Sequence, residues 1–380
     1  MKKLDKIVLA PDSFKESMTA KTVCESLEKG ITKILPHVSC IHVPMADGGE
    51  GTMQSLVDAT GGKIYEARVK GPLGNPVTAQ YGISGSGDMG VIEMASASGL
   101  HLVPMENRNP CLTTTYGTGE LIKACLNHGV KKLLIGIGGS ATNDGGAGML
   151  QALGGKLLDA NGKDLSFGGL ALKDLHKIDL SDVDIRLRDV DIDVACDVDN
   201  PLIGEKGASK VFGPQKGANE EQVELLEAAL SHYGDIIEDQ LEIDVKNFSG
   251  AGAAGGLGAG LMVFLNGKLK KGIDLVIDYV KLEENIAEAD LVITGEGSLD
   301  SQTFHGKTPL GVSKLAKKYN VPVIGIAGRL GDGIEGLYDE GFTAIFSIVD
   351  GVISLDEALD KGPEKAEKLI ENIMRLWKNL

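Results

Sequence analysis

Five carboxylates lie within glycine-rich segments of the sequence, where they could bind a metal ion. They are Asp47 and Glu50 in ADGGEGT (46–52), Asp144 in GGSATNDGGAG (138–148), and Glu296 and Asp300 in GEGSLDSQTFHGKT (295–308). Mg²⁺ prefers oxygen ligands and usually takes only one or two from protein, with the others from phosphate and water. We therefore predict that Asp47, Asp144 or Glu296 holds Mg²⁺, directly or through water. The alternative is that these residues only form turns and helix caps.

Three cationic side chains follow apolar runs and could bind anionic groups. Lys15 ends APDSFK (10–15) and Lys307 lies near the end of the segment 295–308, so each could place a charge beside phosphate oxygens. Arg329 follows a further apolar run and could bind a small carboxylate through two hydrogen bonds. In a chain this acidic, ordinary surface lysines are the alternative interpretation of Lys15 and Lys307.

Asp197 and Asn200 stand apart from the other acidic residues around them. The segment 189–199 alternates Asp with apolar residues, which is typical of a strand with one solvated face. Asp197 and Asn200 instead lead into the turn DVDNPLIG (197–204). By analogy with phosphoryl-transfer sites, such an Asp could accept a hydroxyl proton, and the nearby Asn could face a metal.

The elements that must position these residues alternate between strands and helices. Short apolar runs are followed by polar, glycine-rich loops and then by amphipathic helices. The runs are 7–10, 41–45, 133–137, 291–294, 323–326 and 343–349. This rhythm predicts an α/β fold with a doubly wound parallel sheet. Because ligands bind beyond the carboxyl ends of such strands, we expect all of these loops to gather at one sheet edge.

Two stretches interrupt this rhythm and predict a second domain. Residues 63–112 alternate like a β-meander, and residues 154–284 mix strands with a helix over Glu220 to Gln240. We therefore predict an inserted, discontinuous α+β domain at 63–112 plus 154–284. The first α/β domain then comprises 1–62, 113–153 and 285–380.

Composition limits the classes of partner. The net charge of −16 argues against nucleic acid and anionic membrane surfaces. Five scattered cysteines without a C-x-x-C pair are typical of a reduced, cytoplasmic protein. Lys2 and Lys3 are followed by Asp5 and Lys6 rather than by an apolar run, so we expect no signal peptide. Glycine is abundant, at 52 of 380 residues, and about a third of it lies in a few loops.

Other functions remain open on the residues alone. GAGAAG (250–255) is a literal G-x-G-x-x-G, but a poor strand candidate precedes it, so a nicotinamide-binding signature is weak. An NAD(P)-dependent dehydrogenase of a small hydroxy acid is therefore one alternative, and a non-catalytic small-molecule sensor is another. We interpret the glycine run 250–260 as close packing or as a flexible wall.

Seven segments together resemble the bacterial glycerate kinase family, type I. In chain order they are APDSFK (10–15), PMADGGEGT (44–52), GIGGSATNDGGAG (136–148), DVDNPLIG (197–204), FGPQKGA (212–218), SGAGAAGGLGAG (249–260) and TGEGSLDSQTFHGKT (294–308). The resemblance implies phosphorylation of D-glycerate by ATP with Mg²⁺, with 2-phosphoglycerate as the product of this type. It also implies a flavodoxin-like domain and an inserted domain with the site between them. Glu16 departs from the family pattern, where glycine often follows the lysine.

With this resemblance, the candidate residues take defined roles in an in-line phosphoryl transfer. We expect Lys15 and the backbone amides of Gly138, Gly139, Ser140 and Thr142 to hold phosphates, together with Lys307. Asp197 is the candidate base, with Asn200 beside it. Ser13, Asn143 and Arg329 are candidates for the substrate carboxylate and hydroxyls. We expect a small-molecule substrate and no nucleic-acid or membrane partner. A homodimer is the assembly considered, and the sequence does not decide the oligomeric state.

Overall fold

Apolar β-branched residues form short strands throughout the chain. The computed structural model describes residues 4–379, apart from the side chain of His305, so Lys2 and Lys3 lie outside it. Each apolar run named above overlaps a strand. The strands are β1 (Lys6–Leu9), β2 (Ser39–His42), β3 (Lys63–Lys70), β4 (Pro76–Ile83), β5 (Met89–Glu93), β6 (Lys132–Gly136), β7 (Lys156–Leu158), β8 (Lys177–Asp179), β9 (Asp191–Ala195), β10 (Lys268–Lys270), β11 (Leu291–Leu299), β12 (Val323–Leu330) and β13 (Ala344–Ser347).

The helices alternate with these strands. In chain order they are α1 (Ala20–Ile34), α2 (Thr52–Thr60), α3 (Ala95–Ser98), α4 (Tyr116–Asn127), α5 (Ala147–Ala152), α6 (Ala208–Phe212), α7 (Glu220–Leu241), α8 (Ala253–Leu265), α9 (Gly272–Tyr279), α10 (Leu282–Ala287), α11 (Thr308–Lys318), α12 (Gly336–Asp339), α13 (Leu355–Asp360) and α14 (Gly362–Lys378). The helix predicted over Glu220 to Gln240 is α7. No helix in the described range is long and apolar enough to cross a membrane.

The first of two compact units comprises residues 4–47, 54–61 and 273–379 of the described chain. Its five strands form one parallel sheet in the order β13-β12-β11-β1-β2. Counted within the unit and read from the other edge, this is the 2-1-3-4-5 order of flavodoxin-like sheets. Apolar residues of β1, β11 and β12 pack with α1 and α14 in one core. Gly30 lets α1 approach α14 closely, because a Cβ there would lie 2.4 Å from the carbonyl oxygen of Glu367.

The second unit comprises Gly48–Met53 and Gly62–Gly272. Its main sheet has six strands in the order β10-β9-β6-β5-β4-β3. β10, β9, β6 and β5 are parallel, whereas β5, β4 and β3 pair antiparallel, as expected of the predicted meander. β7 and β8 form a separate antiparallel pair. One hydrophobic core of this unit surrounds α7.

The segment 113–153 belongs to the second unit, which corrects the predicted domain assignment. β6 pairs with β5 through Val91 and Leu134, and with β9 through Leu134 and Asp193. A continuous apolar run such as β6 suits any central parallel strand, so the sequence does not specify which sheet it joins. The loops after the strands therefore gather at two sheets, one in each unit, and not at a single edge.

The glycine run 250–260 is a close-packed element that lies behind the loop after β6. A Cβ at Gly255 would lie 1.9 Å from the carbonyl oxygen of Thr142, and one at Gly260 would lie 2.6 Å from that of Gly145. The Gly145 amide donates a hydrogen bond to the carbonyl of Gly255 at 3.0 Å. Of the two interpretations of this run, the structure supports close packing. The run follows a loop rather than a strand, so it does not have the context of a dinucleotide-binding motif.

Candidate active site

The loop after β6 presents backbone amides at the surface of the second unit. Gly138 and Gly139 are exposed, and Gly139 has a φ of +72°, a conformation that favours glycine. Neighbouring backbone holds the loop in place. The Leu100 amide donates to the Gly139 carbonyl at 2.8 Å, and the Ala141 amide donates to that of Ser98 at 2.9 Å.

The amides of this loop are available to an anionic ligand. Across residues 4–379, no protein hydrogen bond uses the amides of Gly138, Gly139 or Ser140 as donors. No protein atom would lie within 4 Å of a Cβ at Gly138, so a ligand can approach the backbone there. Unpaired amides beside exposed glycines such as Gly138 and Gly139 form a favourable surface for phosphate oxygens.

Asp197 lines the same cavity as this loop. The cavity has a volume of about 400 Å³, and its walls include Gly138, Gly139, Ser140 and Asp197. The Asp197 side chain is exposed, and its Oδ1 accepts a hydrogen bond from the Gly272 amide at 2.9 Å. The structure thus brings together four residues that are up to 59 positions apart in sequence (138 to 197).

A second cavity adjoins the first, and the glycine loop forms part of both walls. It has a volume of about 530 Å³ and shares Gly48, Gly49, Gly138 and Gly139 with the first cavity. Its polar lining includes Glu93, whose carboxylate accepts a hydrogen bond from the Met53 amide at 2.9 Å. The glycine loop thus borders two cavities.

Thr142 and Asn143 are buried behind the loop. Asn143 Nδ2 donates to Ser209 Oγ at 3.0 Å, and the side chain has no exposed surface. Thr142 is equally buried, and its Oγ1 has no partner among the described residues. Neither side chain reaches the cavity, so the predicted contact of Asn143 with substrate is not supported by its position.

Asp144 does not have the position predicted for a metal ligand. Its Oδ2 accepts hydrogen bonds from the amide and hydroxyl of Thr115 at 2.8 and 2.9 Å and from the Gly148 amide at 3.3 Å. Its Oδ1 accepts from the Gly146 amide at 3.3 Å. The carboxyl is buried, which raises its pKa. Asp144 therefore links the start of α5 to the residues before α4, and its oxygens are already occupied.

Asn200 also differs from its predicted role. Its Nδ2 donates to the Lys206 carbonyl at 2.8 Å, which closes the turn that follows β9. It is not part of the wall of the cavity that Asp197 lines. Of the predicted Asp–Asn pair, Asp197 lines this cavity and Asn200 does not.

A separate group of charged residues lies at the carboxyl ends of strands in the first unit. Glu296 in β11 accepts a hydrogen bond from Thr303 Oγ1 at 3.2 Å and pairs with Lys307 Nζ at 3.2 Å. Burial raises the pKa of Glu296 to about 7, although Lys307 opposes this shift. The structure therefore brings Glu296 and Lys307 together, as their shared segment suggests.

Asp12 belongs to this group, although it is not among the site residues predicted from the sequence. Its Oδ2 accepts a hydrogen bond from Thr308 Oγ1 at 2.6 Å, and burial raises its pKa to about 6. The negative charge of Asp47 adds to this shift. A signal was present in the sequence, because Asp12 is the first charged residue after β1, as Asp47 is after β2.

Of the other predicted residues of the first unit, Ser13 is partly buried, and Lys15 and Arg329 are exposed. Ser13 donates to Asp12 Oδ1 through its amide at 2.6 Å and its hydroxyl at 3.3 Å, so it orients that carboxylate. Lys15 is exposed in a tight turn from Phe14 to Met18. Arg329 is exposed near the end of β12, opposite Ser298 of β11.

Glu16, at the position where the family pattern often has glycine, adopts a backbone conformation that favours glycine. Glu16 has a φ of +65°, in the left-handed region where glycine carries no penalty. The backbone conformation expected of a glycine is therefore kept here by a glutamate.

Comparison with known proteins decides the family. The profile of the glycerate kinase family matches residues 7–378. The chain belongs to the glycerate kinase family. It is 55% identical over 368 residues to the glycerate kinase of Bacillus subtilis (strain 168), covering 97% of this chain and 96% of that protein. It is 55% identical over 353 residues to the glycerate 2-kinase of Escherichia coli (strain K12), covering 93% of each.

A solved structure supports the same conclusion for this glycerate kinase family member. The crystal structure of a provisionally assigned glycerate kinase 2 from Salmonella typhimurium LT2 matches with a TM-score of 0.92 and 50% identity, covering 99% of both chains. The match spans both units of the α/β fold.

The first unit of this family member contains carboxylate oxygens of the type that Mg²⁺ takes from proteins. Among the described residues, no cluster of three His, Cys, Asp or Glu side chains could hold a metal alone. Asp12 and Glu296 have raised pKa values because burial disfavours their charged forms, and a cation would compensate that charge. A site with one or two carboxylates, completed by phosphate and water, is the usual arrangement for Mg²⁺.

Proposed function

We propose that this protein transfers a phosphoryl group from ATP to D-glycerate and forms 2-phosphoglycerate. The observation that carries the proposal is one cavity whose wall includes both Asp197 and the residues Gly138–Ser140, whose amides make no protein hydrogen bond among residues 4–379. Family membership and the name of the Escherichia coli relative support the substrate and the position of transfer. A cytoplasmic location belongs to the same proposal, and a homodimer remains open.

The amides of Gly138, Gly139 and Ser140 would hold phosphate oxygens in this reaction. Backbone donors are already oriented by the loop, so little reorganisation is needed as charge develops on the transferred group. Within the first unit, Lys15 and Lys307 are the candidate cations for an anionic group. In the same unit, Arg329 and Ser13 are the candidates for binding a small carboxylate and its hydroxyl groups.

Asp197 would accept the proton of the glycerate 2-hydroxyl. As that oxygen attacks the γ-phosphorus, the bond to the β-phosphate oxygen breaks and ADP leaves. The exposed Asp197 lines the cavity, and its Oδ1 accepts a hydrogen bond from the Gly272 amide, which orients the carboxylate. Because positioning dominates phosphoryl transfer, the base contributes only part of the rate.

Glu296 and Asp47 would hold Mg²⁺, with Asp12 adding negative charge beside them. The ion would supply neutralisation of the phosphate charge when bound. Asp144 is no longer a candidate, because its oxygens accept hydrogen bonds within the protein. Binding of Mg²⁺ would lower the raised pKa values of Glu296 and Asp12.

A coupled assay of ADP release tests this function. The protein is supplied with ATP and Mg²⁺ and a panel of D-glycerate, L-glycerate and L-lactate, and the product is assigned by ³¹P NMR. We expect turnover with D-glycerate and a 2-phosphate product. A 3-phosphate product would overturn the position of transfer, and absence of ADP release with every acceptor would overturn the proposed function.

A further inference from the structure

A buried lysine lies behind the glycine loop of the second unit. Lys216 ends the short 3₁₀ segment Pro214–Lys216 in the FGPQKGA motif (212–218). Its side chain is buried, with only 2% of its surface exposed, and Nζ donates to the Thr142 carbonyl at 2.7 Å. Lys216 also contributes to the wall of the cavity that Gly138–Ser140 and Asp197 line.

The charge of Lys216 is poorly compensated by the protein. None of the ion pairs within residues 4–379 includes Lys216. Asp144 is the acidic group that acts on it, and burial nevertheless lowers the pKa of Lys216 to about 7. Burying an ammonium without a close carboxylate is costly, so a residue kept in this state is a candidate for a role beyond packing.

The backbone around Lys216 leaves it little freedom to move. Gly217 has a φ of +94°, and a Cβ there would lie 2.4 Å from the carbonyl oxygen of Arg108. Gly255 packs against the same Thr142 carbonyl that Lys216 binds. This carbonyl therefore contacts two elements of the second unit, two residues after Ser140 in sequence.

We propose that Lys216 is a positioning residue for nucleotide phosphates. Its ammonium holds the Thr142 carbonyl, which keeps the Gly138–Ser140 amides facing the cavity, and it places a buried positive charge behind them. The inference rests on the proposed function, because it assumes that phosphates bind this loop. It assigns a role to the FGPQKGA motif, which the mechanism above does not use.

The substitution Lys216→Met separates positioning from packing. Methionine preserves most of the apolar length of the side chain but removes the charge and the hydrogen bond. Removing a buried charge is favourable, whereas leaving the Thr142 carbonyl without its hydrogen bond is unfavourable, so we expect only a small change in melting temperature. We expect KM for ATP and Kd for Mg²⁺–ADP to rise by about 10-fold or more, as for the loss of one hydrogen bond to a charged group. KM for D-glycerate should change much less.

Lys210→Met is the matched control, since Lys210 lies in the preceding helix α6 and pairs with Glu205 and Glu224 at the surface. Nucleotide affinity should be unchanged in this variant. A Lys216→Met protein that is folded and binds Mg²⁺–ADP within twofold of wild type overturns the inference. So does a fall in kcat with unchanged KM values, because that pattern indicates a smaller folded fraction.

Lys216→Gln is measured if the methionine variant does not fold, with the same expected rise in KM for ATP. Failure of both variants to fold would make Lys216 a structural residue and would also overturn the inference. Wild-type protein is assayed in parallel. If it neither binds Mg²⁺–ADP nor consumes ATP with D-glycerate, the proposed function fails. If it does both, only the role of Lys216 is at issue.

Discussion

The Nζ of Lys307 lies 3.2 Å from Oε2 of Glu296 at the carboxyl end of β11. This ion pair does not fully compensate the burial of the carboxylate, since the pKa of Glu296 is still raised to about 7. The folded protein therefore contains a carboxylate whose charged form is disfavoured at neutral pH. A buried carboxylate with incompletely compensated charge is common at functional sites, where a bound cation can supply the missing positive charge.

Substituting Glu296→Gln should stabilise the protein at pH 8 and have little effect at pH 5. Because the folded pKa lies above the unfolded value of about 4.5, the stability from the protonated carboxyl is full below pH 4.5 and is lost as pH rises through about 7. We expect a gain of about 1–3 kcal/mol at pH 8, measured by thermal melting at both pH values. Glu283→Gln is the control. The pKa of Glu283 is lowered by hydrogen bonds from Lys318 and Tyr319, so no gain in stability is expected for this control. A Glu296→Gln variant that melts like wild type at pH 8 would contradict the prediction.

Substituting Asp197→Asn should reduce kcat by about 10²-fold or more if the carboxylate accepts the hydroxyl proton. The amide oxygen can still accept the Gly272 hydrogen bond, so the fold should be preserved. Steady-state assays of ADP release provide the measurement. Asp199→Asn is the matched control, because Asp199 is exposed and is not part of the cavity wall. Turnover of Asp197→Asn within twofold of wild type would exclude Asp197 as the base.

Substituting Gly138→Ala should weaken nucleotide binding without a loss of stability. A Cβ at Gly138 meets no protein atom within 4 Å, so the folded protein can accommodate it, but the methyl group would occupy space that a phosphate needs. We expect Kd for Mg²⁺–ADP to rise by about 10-fold or more, measured by calorimetry, since about 1.4 kcal/mol of lost contact is sufficient. An unchanged Kd would show that phosphates do not approach this part of the loop.

Substituting Gly255→Ala should have the opposite signature and destabilise the protein. The added methyl would lie 1.9 Å from the Thr142 carbonyl oxygen, at a φ of +70° that disfavours alanine. We expect a loss of about 2 kcal/mol or more, seen as a lower melting temperature. Gly51→Ala is the control, since its φ of +91° is similar but its Cβ meets no atom within 4 Å. Equal losses in the two variants would mean that backbone conformation, and not close packing, determines the effect.

Substituting Glu16→Gly should stabilise the protein slightly. Glu16 is exposed and has a left-handed φ of +65°, which costs a side chain about 1 kcal/mol and costs glycine little. Allowing for the greater freedom of glycine in the unfolded chain, we expect a gain of up to about 1 kcal/mol in thermal melting. Glu25→Gly makes the same chemical change inside helix α1 and should instead destabilise by about 1 kcal/mol. A loss of stability in Glu16→Gly would argue that the glutamate side chain itself stabilises the turn.

Much of the local structure follows from the sequence, because it depends on near neighbours. The apolar runs predict where strands lie, the periodicity of Glu220 to Gln240 predicts α7, and the alternation in 63–83 predicts the antiparallel pair of β3 and β4. The grouping of glycines with polar residues also predicts which loops are candidate ligand sites.

The choice of sheet for β6 could not be predicted in the same way. Its pairing with β5 and β9 involves partners about 40 and 60 residues distant, and its apolar residues would suit either sheet. For the same reason, Asp144 resembles Asp47 and Glu296 in its local sequence but not in its surroundings. Which carboxylates are buried, and which face a ligand, depends on contacts that only the folded chain makes.

The sequence by itself determined the family, the strands and helices, and the loops that carry glycines and charges, since these depend on residue type and short-range order. Only the tertiary structure decided that Asp144 is held by Thr115, Gly146 and Gly148, that Asp12 joins the carboxylates of the first unit, and that Lys216 lies behind the glycine loop. The physical reason is that burial and hydrogen-bond partners control the charge and availability of a side chain. Both come from residues distant in sequence.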